Sequence, residues 1–241
     1  MEWYGWILLI VAVLIGSILG YILFLAVNSL FVDTGREYDT NSRYYRALLN
    51  GATAVMMVGA RIHLKVDGRE HIPDGRFLVV SNHRSNFDPI LTWYILREND
   101  VAFVSKKENF SVPIFGRFIR KCCFMEIDRK NPRNAMKTII KAADLLKKDE
   151  VSVGIYPEGT RSRDGKLLPF HNGVFKIAQR AHVPVLVMTV EGTEDIRHHF
   201  PWKKSVVTIH FVGTLSAEEI EGVSTREVGE KAEAMMRQYV Q

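Results

Sequence analysis

A chain of 241 residues, 47% hydrophobic and 24% charged, is long enough to bury a real core and fits one α/β domain with a small appendage. Its net charge of +5 is unevenly placed: residues 105–148 hold twelve lysines and arginines against four acidic residues, an excess of +8, so the rest sums to −3. The only cysteines, Cys122 and Cys123, are adjacent and make a poor structural disulfide, and the scattered histidines (His63, His71, His182, His198, His199, His210) lack zinc-site spacing, so neither a disulfide scaffold nor a metal is implied.

The first element in chain order is an uncharged apolar run over residues 7–27, whose 21 residues would span about 31 Å as a helix at ~1.5 Å each. Trp3, Tyr4 and Trp6 precede it as interfacial aromatics would, and Gly16 and Gly20 lie within it. A single membrane span is the first expectation, and a one-leaflet hairpin broken near Gly16-Ser17 is the alternative. A cleaved signal peptide fits less well, because the start carries Glu2 in place of a basic region and the run is too long. Arg36, Arg43 and Arg46 come after the run and no lysine or arginine precedes it, which places the rest of the chain in the cytoplasm by the positive-inside rule. Residues 44–60 then read as a second apolar helix, either on the membrane surface or packed on a sheet. The expected organisation is a membrane-anchoring segment over 1–35, a linking helix over 36–60 and the α/β domain over 61–241.

Seven strands are expected near residues 61–66, 77–81, 101–105, 123–127, 151–156, 184–190 and 205–212, alternating with helical patterns: an α/β architecture. Asn131-Pro132 offers an N-cap and first helical residue ahead of Met136, Ile139, Ile140, Ala143 and Leu146, and Ser224-Thr225-Arg226-Glu227 reads as a capping box. The basic excess divides in two. Lys137, Lys141, Lys147 and Lys148 read as a solvated helix face. Lys106, Lys107, Arg117, Arg120, Lys121 and Arg129, interleaved with phenylalanines, read as a contact for anionic lipid headgroups. No nucleic-acid-binding motif accompanies them.

Two polar clusters come directly after strand-like runs. Asn82-His83-Arg84-Ser85-Asn86-Phe87-Asp88 comes after Phe77-Leu78-Val79-Val80, which puts His83 at a strand's carboxyl end, where open α/β sheets place ligands. An imidazole there can take a proton from a hydroxyl and pass it to a leaving group, with Asp88 holding the ring in one tautomer. Asp88-Pro89 also reads simply as a helix N-cap and first residue. The second cluster, Tyr156-Pro157-Glu158-Gly159-Thr160-Arg161, sets a run of donors where a phosphate could sit.

Over residues 60–215 the chain resembles the bacterial 1-acyl-glycerol-3-phosphate acyltransferases, within the wider glycerolipid acyltransferase family. All four family motifs occur in order: His83-x4-Asp88; Val112-Pro113-Ile114-Phe115-Gly116 leading to Glu126-Ile127-Asp128-Arg129; Tyr156-Pro157-Glu158-Gly159-Thr160-Arg161, where the family usually begins with phenylalanine; and Val183-Pro184-Val185-Leu186-Val187. The resemblance implies a mixed β-sheet flanked by helices and a catalytic pair His83 and Asp88. It links the second motif to the glycerol phosphate and gives the fourth, with Pro184, a place lining the acyl site. Cys123 stands where the family often has glycine, so the backbone there need not have positive φ, and His171 replaces a common lysine.

The expected reaction is transfer of an acyl group from a thioester, acyl carrier protein or coenzyme A, to the sn-2 hydroxyl of lysophosphatidate, with Arg161, Lys107 and Arg129 on the phosphate. Glu158, Gly159 and Thr160 shape the third-motif loop, and Glu158 is expected to order Arg161. The thioester is already activated, so no covalent intermediate, cofactor or metal is called for, and the chain contains no Gly-x-Ser-x-Gly elbow. Other acceptors, such as glycerol 3-phosphate, and a membrane-bound lipid hydrolase are the alternatives.

Overall fold

The protein is described by a computed structural model covering residues 2–240. Helix α1 (Trp3–Leu30) is continuous over 28 residues, about 42 Å at ~1.5 Å per residue, and is long and apolar enough to cross a membrane. It runs through Gly16-Ser17 unbroken, with Ser17 Oγ donating to Val13 O at 2.8 Å in the helical i−4 pattern, so the hairpin alternative is not formed. Only Leu25 and Ser29 of this helix are buried.

Helix α2 (Arg43–Gly59) folds back along the end of α1. Tyr45 Oη donates to Asn28 O at 3.2 Å, and a Cβ on Gly51 would sit 3.1 Å from Tyr21 Oη, so the two helices run antiparallel and the first turns of α1 project past the end of α2. Helix α2 packs on the domain with one face and leaves the other exposed. Tyr45, Leu49, Thr53 and Met57 face inward, while Val55 and Val58 face out. Arg46, expected as a cytoplasmic flank, is buried instead: it donates to Val101 O at 3.1 Å, pairs with Asp100 at 3.1 Å and stacks on Trp93.

The remaining elements are β1 (Ile62–Asp67), β2 (Leu78–Ser81), α3 (Asp88–Ile95), β3 (Ala102–Lys106), α4 (Phe115–Lys121), β4 (Met125–Ile127), α5 (Pro132–Lys147), β5 (Val153–Ile155), α6 (Lys176–Ala181), β6 (Val185–Glu191), α7 (Ile196–His199), β7 (Ser205–Leu215), α8 (Ala217–Ile220) and α9 (Thr225–Met236). All seven expected strands form, in one sheet of order β1-β7-β6-β2-β5-β3-β4. Every pairing is parallel except β6 with β7. The sheet is therefore mixed, with helices on both faces, as expected. One apolar cluster packs α5, α6 and α9 against the sheet, and the other packs α2, α3 and α4 against its opposite face. This explains why β2 and β5 read as unbroken apolar runs: both of their faces are covered.

Three local expectations are corrected. Ser224 Oγ accepts from Glu227 N, which is half a capping box, whereas the complete reciprocal box is Ser216 with Glu219 ahead of α8. On α5, capped by Asn131 as expected, Ile139, Ala143 and Leu146 are buried but Met136 and Ile140 are partly exposed, at 40% and 36%. Cys123 does adopt positive φ, 62°, the conformation that a glycine takes without strain; its thiol is fully buried, so the packing holds a side chain in that backbone geometry.

The basic segment also sorts differently. Arg117 Nη1 donates to Ser29 O at 3.1 Å, capping the carboxyl end of α1, Arg120 lies over Phe110, and Lys121 lies over Tyr38 and Tyr45. Arg117 and Lys121 thus hold the helical hairpin to the domain, while the Arg120 contact lies within the domain. Lys141 is not on a solvated face: its ammonium pairs with Glu37 and Asp39, which fastens the linker. Burial works against its charge, but the two carboxylates outweigh burial and raise its pKa.

Candidate active site

The parallel strands aim their carboxyl ends at one edge, and β2 delivers His83 there. Asn82 fixes the exit of the chain by pairing side chain to backbone with β6: its Nδ2 donates to Val190 O at 2.9 Å and its Oδ1 accepts from Val190 N at 2.8 Å. The loop then turns so that His83 Nδ1 meets Asp88 Oδ2 at 2.7 Å. The same Oδ2 accepts from Arg84 N at 2.6 Å and Ser85 N at 2.8 Å, and Thr193 Oγ1 donates to Oδ1. An oxygen that already accepts two backbone N–H groups takes a third donor from the ring, so the proton sits on Nδ1 and Nε2 keeps its lone pair for the cavity.

Asp88 is not the N-cap of α3. Phe87 occupies that position, Asp88 is the first helical residue and Pro89 comes second. Its carboxylate is fully buried and turns back onto the loop, away from the helix amides an N-cap would serve.

The loop after β5 clamps the histidine from the other side. Glu158, 3% exposed, accepts from His83 N at 2.7 Å through Oε1 and from Leu168 N at 2.9 Å through Oε2, and Ser162 N donates to His83 O at 2.8 Å. Burial raises the Glu158 pKa, opposed by those amide contacts. Glu158 thus orders the backbone of His83, not Arg161 as expected. Gly159 turns at φ +65, and a Cβ there would come within 2.9 Å of the His171 ring. Tyr156, where the family usually has phenylalanine, stacks its ring on His83 at 4.3 Å between centroids. Burial, with the charge of Asp88 adding to it, pushes the phenol pKa far up, so this ring stays neutral.

His83 opens onto a cavity of about 1230 Å³. Its volume exceeds the ~300–1,000 Å³ of an ordinary small-molecule pocket, which leaves room for two substrates. Leu49, Ala52 and Met56 of α2, Ile90 and Trp93 of α3, and Met136 and Ile139 of α5 line its apolar part. Thr160, Arg161, Arg129 and Lys106 line its polar part. The structure therefore brings His83, Gly159, Thr160, Arg161 and Arg129 to one cavity. Lys107 is not among the lining residues; Lys106, the last residue of β3 and on the same face as the lining residue Val104, takes that place. Pro184 is not a lining residue either. Its carbonyl accepts from Leu78 N at 3.0 Å at the amino end of the strands, the opposite edge from His83.

Sequence reasoning missed Thr193, Tyr156 as the stacking platform, and the strain in the second motif. Ile114 sits at φ 62 and ψ −63, with Phe115 N donating to Pro113 O at 2.6 Å: the rarer γ-turn, in a β-branched residue. Such backbone costs about 1–3 kcal/mol and is stored where the surroundings over-determine it. Gly116 beside it has no room for a side chain, since a Cβ would lie 2.4 Å from Phe110 O.

A sheet with a histidine–aspartate pair at its carboxyl edge, beside a wide half-apolar cavity, matches a known class. The family model described as Acyltransferase matches residues 63–191, more than half of the chain, and the chain belongs to that family. Among its relatives, a protein of Salmonella typhimurium named 1-acyl-sn-glycerol-3-phosphate acyltransferase is 30% identical over 69% of this chain and 67% of its own length. A protein of the same name from Limnanthes douglasii is 33% identical over 61% of this chain. The chain spans about half the length of the Limnanthes relatives, 50% and 53%. In fold it is similar to the solved structure titled 1-acyl-sn-glycerophosphate (LPA) acyltransferase, PlsC, from Thermotoga maritima: TM-score 0.67, 24% identity, covering 91% of this chain and 88% of that one.

Proposed function

We propose that this chain transfers a fatty acyl group from an acyl thioester to the sn-2 hydroxyl of lysophosphatidate, giving phosphatidate. The observation that carries this reading is the His83–Asp88 pair, Nδ1 to Oδ2 at 2.7 Å, opening onto a cavity with an apolar body and Arg129 and Arg161 on its wall. The names of the relatives point to the same acceptor.

In the proposed mechanism His83 Nε2 takes the proton of the acceptor hydroxyl as its oxygen attacks the thioester carbonyl. The tetrahedral adduct collapses, the carbon–sulfur bond breaks, and the imidazolium returns the proton to the departing sulfur. Asp88 holds the ring and balances its transient positive charge, and Arg161 and Arg129, with Lys106, grip the phosphate. The acyl thioester is a co-substrate, and the reaction calls for no resident cofactor or metal. Acyl carrier protein and coenzyme A are the candidate donors. With α1 in the cell membrane and arginines after it, the domain faces the cytoplasm, where both are found.

The test incubates purified full-length protein with lysophosphatidate and each acyl thioester, then resolves the products. Phosphatidate as the main product supports the reading. Free fatty acid released without diacyl product makes the protein a hydrolase, and equal rates on a lysolipid lacking phosphate move the acceptor to another class.

A further inference from the structure

A second surface stands out at the same edge of the sheet. Because β7 runs against β6, it starts beside the active site, and the segment leading into it, residues 196–204, reads Ile-Arg-His-His-Phe-Pro-Trp-Lys-Lys. Trp202 is 84% exposed and Phe200 54% exposed. The turn that presents them is held in place: Lys203 N donates to His199 O at 2.8 Å, Arg61 Nη1 to Trp202 O at 3.0 Å and Ser205 N to Arg61 O at 3.2 Å. Those last two contacts set the turn against the end of α2, whose Val58 is 80% exposed. Arg61, Arg197, Lys203 and Lys204 are all exposed around the rings. Of the two acids just upstream, Glu194 is turned to Arg84 at 3.3 Å, and Asp195 is the exposed N-cap residue of α7, five residues before the turn.

We propose that the 200–204 turn is a lipid-contacting wedge, with Trp202 and Phe200 seated at the headgroup boundary of an anionic bilayer and Lys203, Lys204, Arg61 and Arg197 on its phosphates. Two observations choose a bilayer as the occupant. The first turns of α1, apolar and exposed, project past α2 at this same edge, so the bilayer that α1 enters reaches the turn without a change in direction. The composition is also that of an interface: an indole and a phenyl ring flanked by cations and no free acid within the turn. The wedge would fix the tilt of the domain and hold the cavity mouth against the lipid from which the acceptor comes.

The test uses the full-length chain with Trp202→Cys, or with Phe200→Cys to keep the tryptophan, labelled with an environment-sensitive fluorophore. Lys148→Cys, exposed at the opposite edge after α5, serves as control. Cys122 and Cys123 are buried, which pushes both thiols up to about 12, so the introduced thiol alone is labelled. In phosphatidylglycerol vesicles the label at 202 or 200 should shift to the blue and lose intensity to a nitroxide placed shallow in the lipid. Both responses should weaken in phosphatidylcholine vesicles or with Lys203→Glu and Lys204→Glu, and the 148 label should not respond. Vesicle flotation after carbonate wash reports insertion of α1 separately. Protein that floats but keeps a water-exposed label at both 202 and 200 overturns the proposal. Protection that appears only in native membranes, and not in pure lipid, assigns the surface to a protein partner and overturns it equally.

Discussion

The two sides of the cavity are built on opposite principles. On the His83 side the groups that position the ring are themselves held: Asp88 receives the ring, two backbone amides and Thr193, and the backbone of His83 is held at both ends by Glu158 and Ser162. On the arginine side, Arg161 and Arg129 stand exposed at the rim. Chemistry that moves a proton needs a fixed geometry, whereas gripping a phosphate needs reach and a charge that water can cover between turnovers. In the proposed function, damage to the first side should lower kcat, and damage to the second should raise KM.

The largest expected effect is at the ring itself. His83→Ala should lower turnover by at least ~10²-fold, the usual scale for losing a general base, with circular dichroism and melting little changed. Near-normal turnover would remove the proposed mechanism. Next comes Thr193→Val, which deletes the donor to Asp88 Oδ1 and leaves a fully buried carboxylate oxygen without it. A loss of roughly tenfold in kcat, equivalent to ~1.4 kcal/mol, is expected with KM unchanged, and Thr193→Ser should restore most of it. If kcat holds and only melting falls, Thr193 is structural alone.

Smaller again, Lys106→Ala should raise KM for lysophosphatidate while Lys107→Ala leaves it near the wild-type value, because only the former lines the cavity. Equal effects would mean that the turn after β3 rearranges around substrate. The smallest concerns Cys122 and Cys123, whose burial pushes both thiols up to about 12. Iodoacetamide at pH 8 should leave the folded protein unmodified and alkylate both residues in denaturant. Labelling of the native protein would show that the α4–β4 corner opens.

Legibility in the sequence tracks the range of the interaction. Strands announce themselves locally: Phe77-Leu78-Val79-Val80 is an apolar, β-branched run because both faces of β2 are covered, and it formed a strand where expected. The His83–Asp88 pair was legible because only four residues lie between its members. Thr193 was not: it meets Asp88 from 105 residues away, through a hydroxyl after β6 that no local pattern marks. Pro184 was misplaced because a motif names a strand without naming which of its ends meets the ligand. Cys123 was misread because its positive φ is imposed by packing around the α4–β4 turn, which residue type alone does not reveal.

The most direct test of the contrast between the two sides measures kcat and KM for Asp88→Asn and Arg161→Ala in parallel, with lysophosphatidate varied at saturating acyl thioester. The account predicts that Asp88→Asn loses kcat by at least about tenfold at nearly constant KM, since an amide cannot accept from all of the donors around Asp88. Arg161→Ala should raise KM at nearly constant kcat. Both parameters moving together in both variants, or the two profiles exchanged, would contradict it.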